Sequence, residues 1–130
     1  MLIDWPADFD RMLTDLEQRT DAGDKDAGEV LDLVVAQLAY LQNLVSPPIE
    51  DNATLKKVQQ SRRHIVWRAS HPYRPNHAVR TIVWFPDSEH VVVALFANDK
   101  AQMGDVFYNS VGSRADQIID QWRRDRKDST

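Results

Sequence analysis

Two apolar segments, AVRTIVWF at residues 78–85 and HVVVALFA at residues 90–97, decide the fold of this chain. Both are rich in Val, Ile, Trp and Phe, which favour β-strands. The turn-forming residues Pro86, Asp87 and Ser88 separate the two segments. We therefore predict a β-hairpin whose strands lie in the centre of a sheet.

A third strand is predicted at residues 64–69, where side chains alternate between two faces. The alternation places Trp67 on one face and both Val66 and Arg68 on the other. The following segment, residues 70–77, contains two prolines and cannot form a central strand. We predict that it is an exposed polar loop.

Helical periodicity characterises most of the first 45 residues. Before it, residues 1–5 are compatible with a short edge strand or an irregular lead-in, and the strand is favoured. Apolar side chains recur at helical spacing across residues 8–19, which predicts an amphipathic helix. A second helix is predicted from residue 26 to about residue 45. Asp26 and Glu29 have the spacing of an N-terminal capping box, and two prolines follow the predicted end.

The order of these elements predicts an α+β fold. Two helices come first, hairpin-connected strands follow, and a helix from about Asp105 closes the chain, which favours an antiparallel sheet with helices packed on one face. The length of 130 residues and the mass of 15.0 kDa correspond to one domain over residues 1–130. Within it we expect a helical hairpin at 1–50 and the sheet and last helix at 55–125.

The composition excludes several classes of protein. The chain has no cysteine, which excludes disulfides, thiolate nucleophiles, iron–sulfur clusters and cysteine zinc sites. Hydrophobic residues make up 42% of the chain and charged residues 28%, as in ordinary globular proteins. The N-terminus lacks the pattern of a signal peptide, and no apolar run is long enough to span a bilayer. We therefore expect a soluble, cytoplasmic protein without membrane partners.

The net charge of −4 hides an uneven distribution. Residues 1–60 contain 5 basic and 12 acidic residues, a net charge of −7. Residues 61–130 contain 11 basic and 8 acidic residues, a net charge of +3, together with all four histidines. On charge alone, two interpretations stay open: an ordinary solvated surface, or a basic half that binds an anionic partner.

Common signatures of enzymes are absent from the sequence. It contains no glycine-rich phosphate loop, no H-E-x-x-H motif and no G-x-S-x-G motif. His64, His71, His77 and His90 lack a spacing that would present two ligands to one ion. We therefore predict neither a metal site nor a cofactor.

Candidate functional residues are cations and one phenol, distributed over the predicted sheet and the last helix. They are Arg68, Arg80, Lys100 and Tyr108. In an antiparallel sheet such residues can converge on one face. The pattern alone does not fix the register that would bring them together.

Arg80 is the most informative of these residues. It interrupts an apolar strand, where a charge requires an opposite charge, an opening to solvent or a bound anion. One interpretation is a binding site for an anion. The other is an arginine at the edge of the core that pairs with an acid, for which Asp99, Asp105 and Glu89 are candidates.

Five segments together resemble the RelE/ParE superfamily of bacterial toxins, including its RelE-like and HigB-like branches. The segments are LKKV (55–58), HIVWR (64–68), VRTIVWF (79–85), VVVALFANDKA (91–101) and DVFYNSVGSRADQII (105–119). The resemblance covers roughly the last 75 residues. It implies two N-terminal helices against a twisted antiparallel sheet, and cleavage of mRNA in the ribosomal A site.

The resemblance also implies roles for individual residues. Arg80 matches the family's strand arginine that contacts the scissile phosphate, and Tyr108 matches a tyrosine near the start of the C-terminal helix. Arg68 falls near a basic residue of the preceding strand, which completes the predicted catalytic set. Further predicted substrate-binding residues are Lys100, in the basic loop before the tyrosine, and Arg74, His71 and His77 in the loop between strands.

The reaction implied by the resemblance is attack of a ribose 2′-hydroxyl on the adjacent phosphorus, which leaves a 2′,3′-cyclic phosphate. Such a reaction requires proton transfer and cations that stabilise the charge of the phosphorane. Arg80 and Arg68 suit the cationic role, because a guanidinium binds phosphate in a bidentate manner. Tyr108 can stack on a base or transfer a proton, and the loop histidines are further acid–base candidates.

Two functional hypotheses follow. The first is the toxin of a type II toxin–antitoxin system, a ribosome-dependent endoribonuclease neutralised by a cognate antitoxin, which we expect to be a helix-turn-helix protein. The alternative is a non-catalytic protein of the same fold that acts by protein binding, such as a ParE-like gyrase inhibitor or a phage-encoded inhibitor. The acidic helices favour the alternative, because proteins that approach ribosomal RNA are usually basic.

Overall fold

A computed structural model describes residues 1–70, 74–86, 91–99 and 106–128, with the backbone alone at 106–109 and 127–128. In chain order its elements are β1 (Leu2–Asp4), α1 (Ala7–Asp21), α2 (Lys25–Gln42), β2 (Leu55–Lys57), β3 (Trp67–Ala69), β4 (Val79–Trp84), β5 (Val91–Asp99) and α3 (Val106–Asp128). The predicted α+β class is confirmed. Within the described ranges, no helix is long and apolar enough to cross a membrane.

The strands form one sheet in the order β1-β5-β4-β3-β2. Strands β2 to β5 pair with antiparallel neighbours, as predicted, and β4 and β5 form the expected central hairpin. Strand β1 differs, because it pairs with β5 in the parallel direction and makes the sheet mixed. In the chain, β1 and β5 are separated by α1, α2 and the strands β2 to β4, which together form the long connection that a parallel pair requires.

Two short strands depart from the prediction. The segment Leu55–Lys57 forms β2, although three residues are too few to show an alternating pattern. Strand β3 begins at Trp67, three residues later than expected. The backbone amides of Arg63 and His64 donate to the Asp116 carboxylate of α3, so this part of the chain is bound to a helix instead of a strand.

Helices cover both faces of the sheet, so the expectation that they pack on one face is wrong. One core lies between the sheet and the first two helices, and its fully buried members include Phe9, Leu33, Val34, Leu41, Leu55 and Val83. A second core lies between the sheet and α3, and includes Val66, Ile82, Leu95, Val111, Ala115 and Ile119. Neighbouring residues of β4 therefore enter different cores.

The start of α2 lies slightly earlier than the predicted capping box. Gly23 has a φ of +96°, and Asp24 then caps the helix by accepting a hydrogen bond from the amide of Ala27 at 3.1 Å. Asp26 is therefore inside the first turn and is not the cap. The helix ends at Gln42, where Asn43 caps it, instead of continuing to residue 45.

Helix α3 is held close to the loop that precedes β3. Besides the Asp116 contacts, Arg63 pairs with Asp120, and the Trp84 and Trp122 rings meet edge to face at 5.7 Å. The closest approach between α3 and this loop is at Gly112, where a Cβ atom would overlap the backbone oxygen of Gln60. The absence of a side chain at residue 112 therefore determines how closely α3 can approach the loop.

We expect Gly112→Ala to destabilise the protein by about 1–3 kcal/mol, the usual cost of overpacking a buried contact. Gly28→Ala in α2 is the matched control, because its Cβ would meet only the end of the Thr20 side chain, at 3.3 Å. Both changes replace a helical glycine by alanine and gain the same helix propensity. The difference between the unfolding free energies of the two variants therefore reports the contact with Gln60. Urea unfolding measures both free energies, and equal values would contradict this account of the α3 contact.

Candidate cationic site

Arg68 and Arg80 lie next to each other on the α3 side of the sheet. Arg68 of β3 is paired with Ile82 of β4, and Arg80 is two residues before Ile82 on the same strand. The two arginines are therefore diagonal neighbours on one face, about 7–8 Å apart at their backbones. Both are half-buried, and Nε of Arg68 and both Nε and Nη1 of Arg80 are shielded from solvent. The structure thus brings two of the candidate residues, Arg68 and Arg80, onto one face of the sheet.

Lys56 extends this group of charges toward the edge of the sheet. In β2 it is paired with Arg68, so the two cationic side chains share a face. They also line a solvent-open groove of about 430 Å³, whose walls include Asp51, Val58, Gln59 and Gln60. Lys56, Arg68 and Arg80 are called the cationic face from here on. The groove gives an anionic ligand access to two of its three charges.

Arg114 brings a further charge from α3 to the edge of the cationic face. Asn98 is paired with Arg80 across the β4–β5 ladder. Its amide oxygen can accept a hydrogen bond from Nη1 of Arg114 at 3.2 Å. The Arg114 guanidinium also stacks over the Phe96 ring at 4.1 Å from the centroid. Burial lowers the pKa of Arg114 from its ordinary value. Even so, a guanidinium stays charged at neutral pH.

Gln37 of α2 fixes the strand that carries Arg80. Its side chain is fully buried; Nε2 donates to the backbone oxygen of Val79 at 3.0 Å, and Oε1 accepts from the Thr81 hydroxyl at 2.6 Å. These contacts are made to the two residues that flank Arg80. These contacts keep Val79 and Thr81 on the α2 side of β4. Because successive side chains of a strand point to opposite faces, Arg80 points to the other side of the sheet.

The structure does not bring all predicted site residues together. Arg74 lies on the α2 side of the sheet, where its guanidinium contacts Asp32 at 3.3 Å. His77 is also on that side and is only 5% exposed, so its predicted position in an exposed loop is wrong. His71, Lys100 and the side chain of Tyr108 lie outside the described residues. The backbone of Tyr108 is in the first turn of α3, as expected.

The acids proposed as partners of Arg80 have different positions. Asp99 is paired with Val79, and its carboxylate contacts Nδ1 of His77 at 2.7 Å and the amide of Ala78 at 2.9 Å. These contacts are on the α2 side of the sheet, opposite the cationic face. Glu89 and Asp105 lie outside the described residues.

A second polar cluster surrounds His77. Besides the Nδ1 contact with Asp99, Nε2 lies 2.8 Å from Glu29 Oε2 and 3.5 Å from Asp26 Oδ1. The hydrogen bond with Asp99 raises the pKa of His77, as do the charges of the three carboxylates, and these effects exceed the lowering caused by burial. Both ring nitrogens face acceptors, which favours the doubly protonated imidazolium.

Sequence reasoning missed several residues that shape these sites. Gln37 was detectable, because it is a polar residue within the apolar stripe of α2. Lys56 belongs to the LKKV segment, whose strand of three residues is too short to show an alternating pattern. The cluster of Asp26 and Glu29 with His77 joins residues about 50 positions apart, and no local pattern reports such a contact.

Comparisons with protein-family models, with curated proteins and with solved structures found no match to this chain.

Replacing Gln37 by Leu is expected to cost about 1–3 kcal/mol of stability, because it leaves the Val79 oxygen and the Thr81 hydroxyl unsatisfied in the core. Thr81→Val removes the second of these groups. The double variant should lose less stability than the sum of the losses in the two single variants, because both single changes break the same contact between Gln37 and Thr81. Chemical denaturation of the four proteins completes the cycle, and strict additivity would show that the contact carries no coupling energy.

The His77 cluster should make stability depend on pH. An unfolded histidine titrates near pH 6.5, and the folded pKa is higher. The stabilisation from protonated His77 is therefore fully present below about pH 6.5 and is lost as the pH rises through the folded pKa. In EDTA, an NMR titration should place the His77 midpoint above about 6.5, and Asp99→Asn should lower it. A midpoint below that of a free histidine would contradict the assignment.

Proposed function

We propose that this chain is the toxin of a type II toxin–antitoxin system, of the RelE-like or HigB-like kind, that acts in the cytoplasm as a ribosome-dependent endoribonuclease. The observation that supports this most strongly is the placement of Arg68 and Arg80 as half-buried neighbours on one sheet face. These are two of the three residues to which the resemblance gives catalytic roles.

The chemistry of a phosphate ester fits the cationic face. In the proposed reaction a ribose 2′-hydroxyl loses its proton and attacks the adjacent phosphorus, the bond from phosphorus to the 5′ oxygen breaks, and that oxygen takes up a proton. The products are a 2′,3′-cyclic phosphate and a 5′-hydroxyl. The phosphorane carries more negative charge than the substrate, so fixed cations stabilise it preferentially. Two arginines about 7–8 Å apart at the backbone can place both guanidiniums on the same phosphate. Lys56, beside Arg68, is positioned to bind a neighbouring phosphate of the strand.

The group that takes the 2′ proton is chosen by which side of the sheet each candidate lies on. His77 is on the other face of the sheet and is surrounded by carboxylates, so it has no part in the proposed reaction. We assign the transfer of the 2′ proton to Tyr108, whose position in the first turn of α3 agrees with the resemblance. His71 is the remaining imidazole candidate, and Lys100 is a further phosphate ligand in this proposal.

The proposed partners are mRNA in the ribosomal A site and a cognate helix-turn-helix antitoxin. An antitoxin that covers the cationic face or α3 would block access of RNA to Arg68 and Arg80. The charge distribution is compatible with RNA binding, because the excess of acids belongs to the half of the chain that contains α1 and α2. Most of that charge lies in helices on the other side of the sheet.

Arg80→Ala and Arg68→Ala should each relieve growth arrest when the chain is expressed without an antitoxin. Loss of one fixed cation is expected to lower the rate of mRNA cleavage on ribosomes by about 10²–10³-fold. The control is Arg11→Ala, which removes the same charge from an exposed position on α1. Primer extension on mRNA from expressing cells measures cleavage, and thermal melts verify that each variant is folded.

The outcome also separates the two functional hypotheses. Growth arrest with intact mRNA and induction of DNA-damage signalling would favour the gyrase-inhibitor alternative. Full cleavage by the Arg80→Ala variant would overturn the assignment of the cationic face as the active site. Normal growth and intact mRNA with the wild-type chain would exclude the toxin proposal itself.

A further inference from the structure

The His77 cluster has the composition of a metal site and lies apart from the cationic face. Its three potential ligand atoms are His77 Nε2, one Glu29 carboxylate oxygen and one Asp26 carboxylate oxygen, all within 4.8 Å of one another. Zinc binds imidazole nitrogen and carboxylate oxygen at about 2.0–2.2 Å, so ligands of one ion lie at most about 4.4 Å apart. Small rotations of the two acidic side chains therefore suffice to bring all three atoms to one ion.

The orientation of the imidazole is fixed on its other side. Asp99 holds Nδ1 at 2.7 Å, and its second oxygen accepts the amide of Ala78 at 2.9 Å. A histidine that binds a metal through one nitrogen commonly donates the other N–H to a carboxylate, which fixes the tautomer and orients the ring. The contact between Asp99 and His77 has this form, and it directs Nε2 toward Glu29.

The charge of the cluster also favours a cation. Three carboxylates face one imidazole, so the cluster keeps a net negative charge even when His77 carries both protons. A divalent ion that replaces the Nε2 proton supplies one more positive charge at the same place. The His77 side chain is 3% exposed, which limits competition by water for its nitrogen.

An ion can reach this position from solvent. The side chains of Glu29 and Asp26 are 40% and 77% exposed, and they lie in the first two turns of α2 at the protein surface. An imidazole with two carboxylates is a ligand set that suits zinc and related transition ions. Magnesium and calcium prefer sites composed of oxygen alone.

We propose that His77, Glu29 and Asp26 bind one Zn²⁺ ion, with Asp99 as the positioning residue. The ion joins the beginning of α2 to the residues that lead into β4. The site opens on the α2 side of the sheet and the cationic face lies on the α3 side, so the ion has no part in the proposed phosphate chemistry. The inference does not depend on the proposed nuclease function.

The test uses the full chain, freed of metal with EDTA and then dialysed. Isothermal titration with ZnCl₂ should show one saturable site, and zinc should raise the melting temperature while MgCl₂ does not. Glu29→Gln should abolish the shift. Asp99→Asn should weaken zinc binding by about 10–100-fold, as expected for the loss of an outer-shell carboxylate.

Matched controls distinguish this site from adventitious binding. Asp32→Asn removes an exposed carboxylate one turn further along α2 and should bind zinc as the wild type does. The triple variant His64→Gln, His71→Gln, His90→Gln removes the other histidines and should also keep the site. Melting curves in EDTA report whether each variant folds without metal.

Absence of saturable zinc binding by the wild-type chain would overturn the proposal. Equal affinities of wild type and Glu29→Gln would do the same, because binding would then occur elsewhere. Loss of binding in the triple histidine variant would assign the zinc to one of those residues. None of these results bears on mRNA cleavage, so failure of the zinc proposal and failure of the nuclease proposal can be distinguished.

Discussion

The buried amide of Gln37 is the constraint on which the arrangement of the sheet depends. Strand β4 is covered on both faces, so both of its sides are largely apolar and packing alone specifies its register weakly. A slip by one residue would exchange the two faces and carry Arg80 into the core beneath α2. Gln37 donates to the backbone oxygen of Val79 and accepts from the Thr81 hydroxyl, and a slip by one residue would turn that hydroxyl away from α2. A helix on one side of the sheet thus determines which charges appear on the other.

The sequence predicts the parts of this fold whose patterns are long enough to be periodic. Six and nine residues are enough to recognise β4 and β5. Period-two alternation shows which neighbours share a strand face with Arg68 or with Arg80, but the register that brings the two arginines together comes from the structure. Strand β2 has three residues and shows no period. The apolar stripe of α3 reveals that the helix packs, but a stripe does not specify which face of a sheet it covers. The environment of His77 depends on a contact with residues about 50 positions away, which local patterns do not contain.

The layered arrangement explains how an acidic protein can present a cationic surface. The acids of α1 and α2 and the cationic face lie on opposite sides of the sheet, and the two apolar cores separate them. Charges on opposite sides of a small domain are largely screened from each other at physiological salt, where the Debye length is about 8 Å. A partner at the cationic face therefore experiences the local cations more strongly than the net charge of the chain.

The edge of the sheet at β2 connects function with solubility. In the described part of the chain, β2 is a terminal strand, and an uncovered terminal strand offers free hydrogen-bonding groups to a second copy. It is only three residues long, and two of them are exposed lysines, one of which extends over the ring of Trp67. Charged side chains on a short edge are a common protection against edge-to-edge association. Lys56 therefore has a second role besides the proposed phosphate contact, because neutralising it also makes that edge a better template for aggregation.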